Sequence, residues 1–144
     1  MTTLERVKTK EELDEKLSGY YGTEQYHVTN PFIPIMRVTD GVVAFAELTG
    51  GYWFIDEIGL RLRKIWNKDR YNLFAIVFLK VKNDKATVDI YSDYNSDLTK
   101  AENKKYRLCG FSIDFTDMVE GTHKFYLQRD VSTYKTVCLL PSEY

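Results

Sequence analysis

From Ile55 to Trp66 the apolar positions Ile55, Ile58, Gly59, Leu62, Ile65 and Trp66 fall at steps of three and four. That spacing lines them along one face of an α-helix. Asp56 and Glu57 lie in the first turns of this helix, while Arg61, Arg63, Lys64 and Lys68 fill its second half. The polarity complements the helix dipole, which favours anions at the N-terminus and cations at the C-terminus. Upstream, Thr9-Lys10-Glu11-Glu12 fits a capping box in which Glu12 reaches back to the Thr9 amide. Leu13 and Leu17 follow at helical spacing and Gly19 supplies a stop, so a short helix is predicted from Glu11 to Ser18. Gly22, Asn30, Pro31 and Pro34 make Tyr20 to Arg37 irregular, with room for a short strand around Tyr26 to Val28. Thr39 or Asp40 then caps a helix carrying Val42, Val43, Phe45, Ala46 and Leu48, which Gly50-Gly51 interrupts.

Beyond Asn67 the spacing changes to that of strands. Tyr71 to Lys82 is apolar and β-rich enough for a central strand, and Asn83-Asp84-Lys85 reads as a turn. Ala86 to Tyr91 alternates, with Ala86, Val88 and Ile90 on one face and Thr87, Asp89 and Tyr91 on the other. Ser92 to Lys105 is polar and reads as a loop. Tyr106 to Phe115 resumes strand composition, interrupted at Gly110, and Lys124 to Arg129 with Thr133 to Leu140 makes a hairpin turning at Asp130 to Ser132. Helices first and consecutive strands afterwards predict an α+β fold. Its N-terminal helices pack on one face of a meandering antiparallel sheet of about four to five strands. The 144 residues form a single domain, 1–144, without internal repeat or linker.

Composition narrows the function rather than the fold. Twenty basic residues against 21 acidic ones leave a net charge of -1. This balance excludes both a strongly basic phosphate-coating protein and a strongly acidic mimic of DNA. Met1 to Lys10 has no apolar stretch of the secretory type. The longest apolar run, Leu73 to Leu79, is far short of the roughly 20 residues of a membrane helix, so a cytoplasmic location without membrane contact is expected. Cys109 and Cys138 are too few for a disulfide scaffold and read as reduced thiols, at least one of them buried in a strand.

Four groups of residues carry candidate chemistry. Tyr52, Trp53 and Phe54 precede Asp56-Glu57, and carboxylates beside rings suit a ligand site or an acid/base pair. Neighbours on a helix nevertheless point about 100° apart, so the two carboxylates do not converge on one atom. The histidines, His27 and His123, sit in no recognisable catalytic frame. A distributed zinc set of His27, Cys109, His123 and Cys138 lacks the local ligand pairs such sites show, so no metal or cofactor is assigned. The basic stretch Arg61, Arg63, Lys64, Lys68 and Arg70, interleaved with Trp66 and followed by Tyr71, suits phosphate binding with base stacking, or else a solvated helix face. Finally, aromatic residues make up 15% of the chain, and Tyr20, Tyr21, Tyr26, Tyr91, Tyr94, Tyr126 and Tyr134 suit a protein interface or the amphipathic edges of a small sheet.

Three segments carry a family resemblance: Gly22-Thr23-Glu24-Gln25-Tyr26, Thr39-Asp40-Gly41-Val42 running through Ala46-Glu47 to Gly51-Tyr52-Trp53-Phe54-Ile55-Asp56-Glu57-Ile58, and Leu140-Pro141-Ser142-Glu143. Their order and spacing resemble a family of small uncharacterised bacterial proteins, a domain of unknown function found on phages, plasmids and other mobile elements. Tyr91 to Lys105 departs from it in being longer and more polar. The resemblance implies a mobile-element context and no catalytic residue.

The function expected is therefore a non-catalytic protein-binding module. Its partner would be a host protein or complex, as for an inhibitor of a host defence system such as a CRISPR nuclease complex. The alternative is a small enzyme or ligand-binding domain around Tyr52, Trp53, Asp56 and Glu57. A weaker one is nucleic-acid binding through Arg61 to Lys68. A homodimer is also expected, because exposed strand edges need cover.

Overall fold

The computed structural model describes residues 5–144. Helix α1 spans Lys10–Leu17, and the Thr9 side chain caps it by accepting from the Glu12 amide. Glu12 does not return to the Thr9 amide; its carboxylate accepts from the amide of Lys8. Helix α2, Asp40–Thr49, is capped by Thr39 and closed by Gly50, whose φ of 72° is the left-handed conformation glycine tolerates best. Helix α3 follows at once, over Tyr52–Lys68. It starts earlier than Ile55, and Asp56 and Glu57 fall in its second turn.

Six strands build one sheet: β1 Met36–Val38, β2 Phe74–Lys82, β3 Lys85–Tyr91, β4 Arg107–Ile113, β5 Gly121–Arg129 and β6 Thr136–Leu139. Their order is β1-β6-β5-β2-β3-β4. Every pair is antiparallel except β1 with β6, which run parallel. The fold is α+β, with more strands than four or five and one parallel pair. The additional strand β1 begins inside the segment expected to be irregular. Around Tyr26 to Val28 a single bridge, His27 to Val38, stands where a strand was expected. The polar stretch after β3 is not all loop. It holds helix α4, Lys100–Asn103, where Thr99 and Glu102 form a complete capping box. Asn83 and Asp84, with φ of 53° and 61°, make the two-residue turn between β2 and β3.

Alternation divides each strand between two faces. Ala75, Val77, Leu79 and Val81 of β2, Val88 and Ile90 of β3, and Phe125 and Leu127 of β5 are buried. They join the same core as Phe45 of α2 and Phe54, Ile58, Leu62 and Ile65 of α3. Phe45 meets Phe125 edge-on at 4.9 Å between ring centroids. Trp66 belongs to this core: it is 6% exposed and donates its indole N–H to Thr136 Oγ1 at 3.0 Å. It is therefore not free to stack on a base, as the basic stretch would require.

Cys109 and Cys138 are both buried in strands as free thiols, and burial pushes the Cys138 thiol up. Cys109 lies in β4 at one edge of the sheet, while His27 bridges β1 at the other. The distributed zinc set thus spans the width of the sheet. Among the described residues no three His, Cys, Asp or Glu side chains form a group that could hold a metal ion. Among them, too, no helix is long and apolar enough to cross a membrane.

Candidate functional site

The residues expected to bind at the start of α3 are not gathered into one site. Tyr52 turns back to α2 and donates its hydroxyl to Glu47 Oε1 at 2.6 Å. Burial and that carboxylate push its pKa up to about 12. Trp53 is half-buried and packs edge-on against Phe54, with centroids 6.2 Å apart. Glu57 points along the helix into an ion pair with Arg61. Asp56 is half-buried beside them. Tyr52, Trp53 and Glu57 each serve a different neighbour, as the 100° step between successive positions leads one to expect.

The basic residues of α3 divide as well. Arg61 is engaged by Glu57 and lies 4.0 Å over the Phe111 ring of β4. Arg63, Lys64 and Lys68 extend into solvent. What remains is a solvated helix face, and its Trp is in the core.

The segments that carry the resemblance do converge, at the N-terminus of α2. Glu143 accepts from the Thr39 hydroxyl at 2.6 Å, the Gly41 amide at 3.0 Å and the Leu140 amide at 3.0 Å. Asp40 accepts from His27 Nε2 at 2.6 Å and from the Glu24 amide, and its own amide donates to Thr23 Oγ1. The His27 and Glu24 hydrogen bonds hold the Asp40 carboxyl below the usual carboxylate range. A histidine oriented by a carboxylate is part of a hydrolytic triad, but no hydroxyl here completes one. Thr23 donates to the Gln25 carbonyl and Thr39 to Glu143. The junction fastens three distant segments to the start of a helix.

The remaining surface is the sheet face turned away from α1, α2 and α3. It carries the alternate residues of each strand. Ile76 of β2 lies opposite Tyr126 on one side and Tyr91 on the other. Phe74, Tyr126 and Tyr144 form one aromatic group, with centroids 4.9 to 5.5 Å apart. Phe78, Tyr91 and Tyr94 form a second, at 4.8 to 6.0 Å. Lys80 and Lys124 stand exposed between and beside them, with Lys124 Nζ 5.3 Å from the Tyr126 ring centre. The connection containing Tyr94 and α4 borders the face along β3 and β4, where Arg107 pairs with Asp89 at 3.0 Å.

At the opposite margin a cleft of about 610 Å³ opens over β1, β6 and β5. Arg37 lines it, half-buried, with its Nε shielded from solvent and without a hydrogen-bond acceptor. An unpaired buried donor costs about 1–3 kcal/mol. Arg129 Nε is also unpaired, but that guanidinium donates to the carbonyls of Arg70 and Asn72 and lies over Trp66.

Of the residues on this face, Tyr26, Tyr91, Tyr94 and Tyr126 stood out in the sequence as tyrosines suited to an interface. Arg37, Phe74, Ile76, Phe78 and Tyr144 did not. The available signal was β2 itself, apolar on both faces, which marks a strand covered on both sides.

A crystal structure of a protein of unknown function from Enterococcus faecalis is similar to this chain at 19% identity, covering 76% of this chain and 89% of that one, with a TM-score of 0.47. No curated protein matches. The model of a family of unknown function, DUF6876, matches residues 11–144, and the chain belongs to that family.

Proposed function

We propose that this protein is a non-catalytic binding module that docks a partner protein on the open face of its sheet. One observation carries the reading: two aromatic groups and Ile76 spread across β5, β2 and β3 on the side opposite the three N-terminal helices. Phe74, Phe78, Tyr94 and Tyr126 are half-buried, Tyr91 is buried and Tyr144 exposed, and with Lys80 and Lys124 beside them they have the makeup of a protein interface core with a polar rim. The resemblance to mobile-element proteins supports a host partner, and inhibition of a host defence nuclease complex is the role we assign to it.

The test reverses charge on exposed positions of the face without touching the core. Lys80→Glu with Lys124→Glu is expected to weaken capture of the partner from host lysate at least tenfold, about 1.4 kcal/mol, with an unchanged thermal midpoint. Arg63→Glu with Lys64→Glu on α3 should leave capture intact. Loss through the α3 pair alone, or removal of the partner by nuclease treatment, would move the activity to the basic helix.

A further inference from the structure

The geometry points to the Arg37 cleft as a receptor for an acidic segment of the partner protein, in which a carboxylate next to an aromatic side chain meets the guanidinium. This rests on the reading that the open face docks a protein. Among the described arginines, Arg6, Arg61 and Arg107 pair with carboxylates and Arg129 with two carbonyls. Arg63 and Arg70 extend into solvent. Arg37 and Arg129 are both drawn into the folded surface with no acceptor for a buried Nε, but Arg129 is held by its two carbonyls and Arg37 by no carboxylate among the described residues.

Its placement follows from register. Met36 and Val38 of β1 are buried in the core, so Arg37 between them projects to the open face beside Val137. Tyr26 and Tyr144, 59% and 73% exposed, wall the cleft together with Phe74 and Gln128. Arg129 and Lys135 also line the cleft and add positive charge. The one acid there, Asp130, is committed to the amide and hydroxyl of Ser132.

A guanidinium fork matches the two oxygens of a carboxylate or a phosphate. The surroundings decide between them. A nucleic-acid strand requires cations tracking its backbone and open ring faces for its bases. Here Arg37 presents the one uncommitted fork, Arg129 at the same cleft being held by the Arg70 and Asn72 carbonyls, and the nearest rings pack against one another at interplanar angles of 51° to 76°. Such a tilted wall suits the edge of a Phe or Tyr side chain beside an Asp or Glu.

The experiment titrates the isotopically labelled full chain with acetyl-Asp-Phe-amide and follows Arg37 Nε–H and the Phe74 and Tyr144 rings by NMR. Saturable shifts at millimolar peptide are expected. Acetyl-Asn-Phe-amide, which has the same shape without the charge, should bind at least tenfold more weakly. Arg37→Gln should lose the same factor while keeping a native spectrum, and Arg37→Lys, which keeps charge without the fork, should fall between. No shift with the acidic peptide, equal affinity for the neutral one, unaltered binding by Arg37→Gln, or tighter binding of a thymidine decanucleotide at the same cleft would each overturn the assignment. The docking reading fails separately. Were Arg37→Gln to leave partner capture intact while Lys80→Glu with Lys124→Glu abolished it, only the cleft would be wrong.

Discussion

Glu143→Ala is expected to destabilise the protein by about 3 kcal/mol and to lower its thermal midpoint by roughly 10 °C. The carboxylate gathers the Thr39 hydroxyl and the amides of Gly41 and Leu140 at 2.6 to 3.0 Å. Removing it strips the first turn of α2 of an acceptor where helix ends most need one. A neighbouring glycine makes the expectation sharper. Gly41 lies in the helix, where alanine is ordinarily favoured over glycine by about 1 kcal/mol. A Cβ there would stand 2.5 Å from Glu143 Oε1 and 2.7 Å from Leu140 Cδ1. Gly41→Ala is therefore expected to destabilise by about 2 kcal/mol, because it displaces the cap that Glu143 provides. In the Glu143→Ala background it should cost less, since only the contact with the Leu140 side chain remains to be relieved. Urea denaturation of the two single variants and the double variant closes the cycle, and simple additivity would show that the methyl is accommodated without moving the carboxylate.

Stability should also fall by about 3 kcal/mol as pH drops from about 6.5 to about 4, through His123. This histidine is 3% exposed in β5, against the Phe45 ring at 5.2 Å, and its Nε2–H donates to the Val119 carbonyl at 3.2 Å. Burial first, and the positive charge of Lys10 second, lower its pKa to about 4, against a smaller opposing pull from Val119 and Asp14. Between the two values the unfolded chain binds a proton that the folded one refuses. Acid therefore favours unfolding throughout that window, and the slope vanishes once the folded form is protonated too. His123→Gln keeps a donor for Val119 but cannot titrate. Its denaturation midpoints at pH 7, 6, 5 and 4 should fall less steeply than those of the wild type. Parallel profiles would mean that His123 is charged in the folded protein.

The elements visible in the sequence are those with local causes. α2 and α3 announce themselves by apolar spacing and by the glycines between them, and β3 by its alternation. β1 is three residues long, and its partner β6 lies far along the chain, so nothing near Met36 marks it as a strand. α4 did have a local sign, since Thr99 and Glu102 stand at capping-box spacing within the polar stretch. The candidate site was legible in its tyrosines but not in its plane. Tyr126 and Tyr91 share a face only because both lie opposite Ile76, which is a matter of register. Arg37 is defined by the carboxylates that do not reach it, and a sequence does not display such an absence. Trp66 misled for the opposite reason: its charged helical neighbours suggested a wet surface, whereas the helix turns it inward to Thr136.

The position of β6 between β1 and β5 bears on how the protein is made. During synthesis β3, β4 and β5 can pair as they emerge, since each finds a partner among β2, β3 and β4 already made. β1 has been waiting since residue 38, yet its pairing surface does not exist until residues 136–139 have left the ribosome. Such late closure makes for a slow final step and a nascent chain with two exposed strand edges. Arg37 and its cleft come into being only at that step. A ribosome-bound chain stalled before residue 136 should therefore be inert toward the partner, however well its other strands have folded.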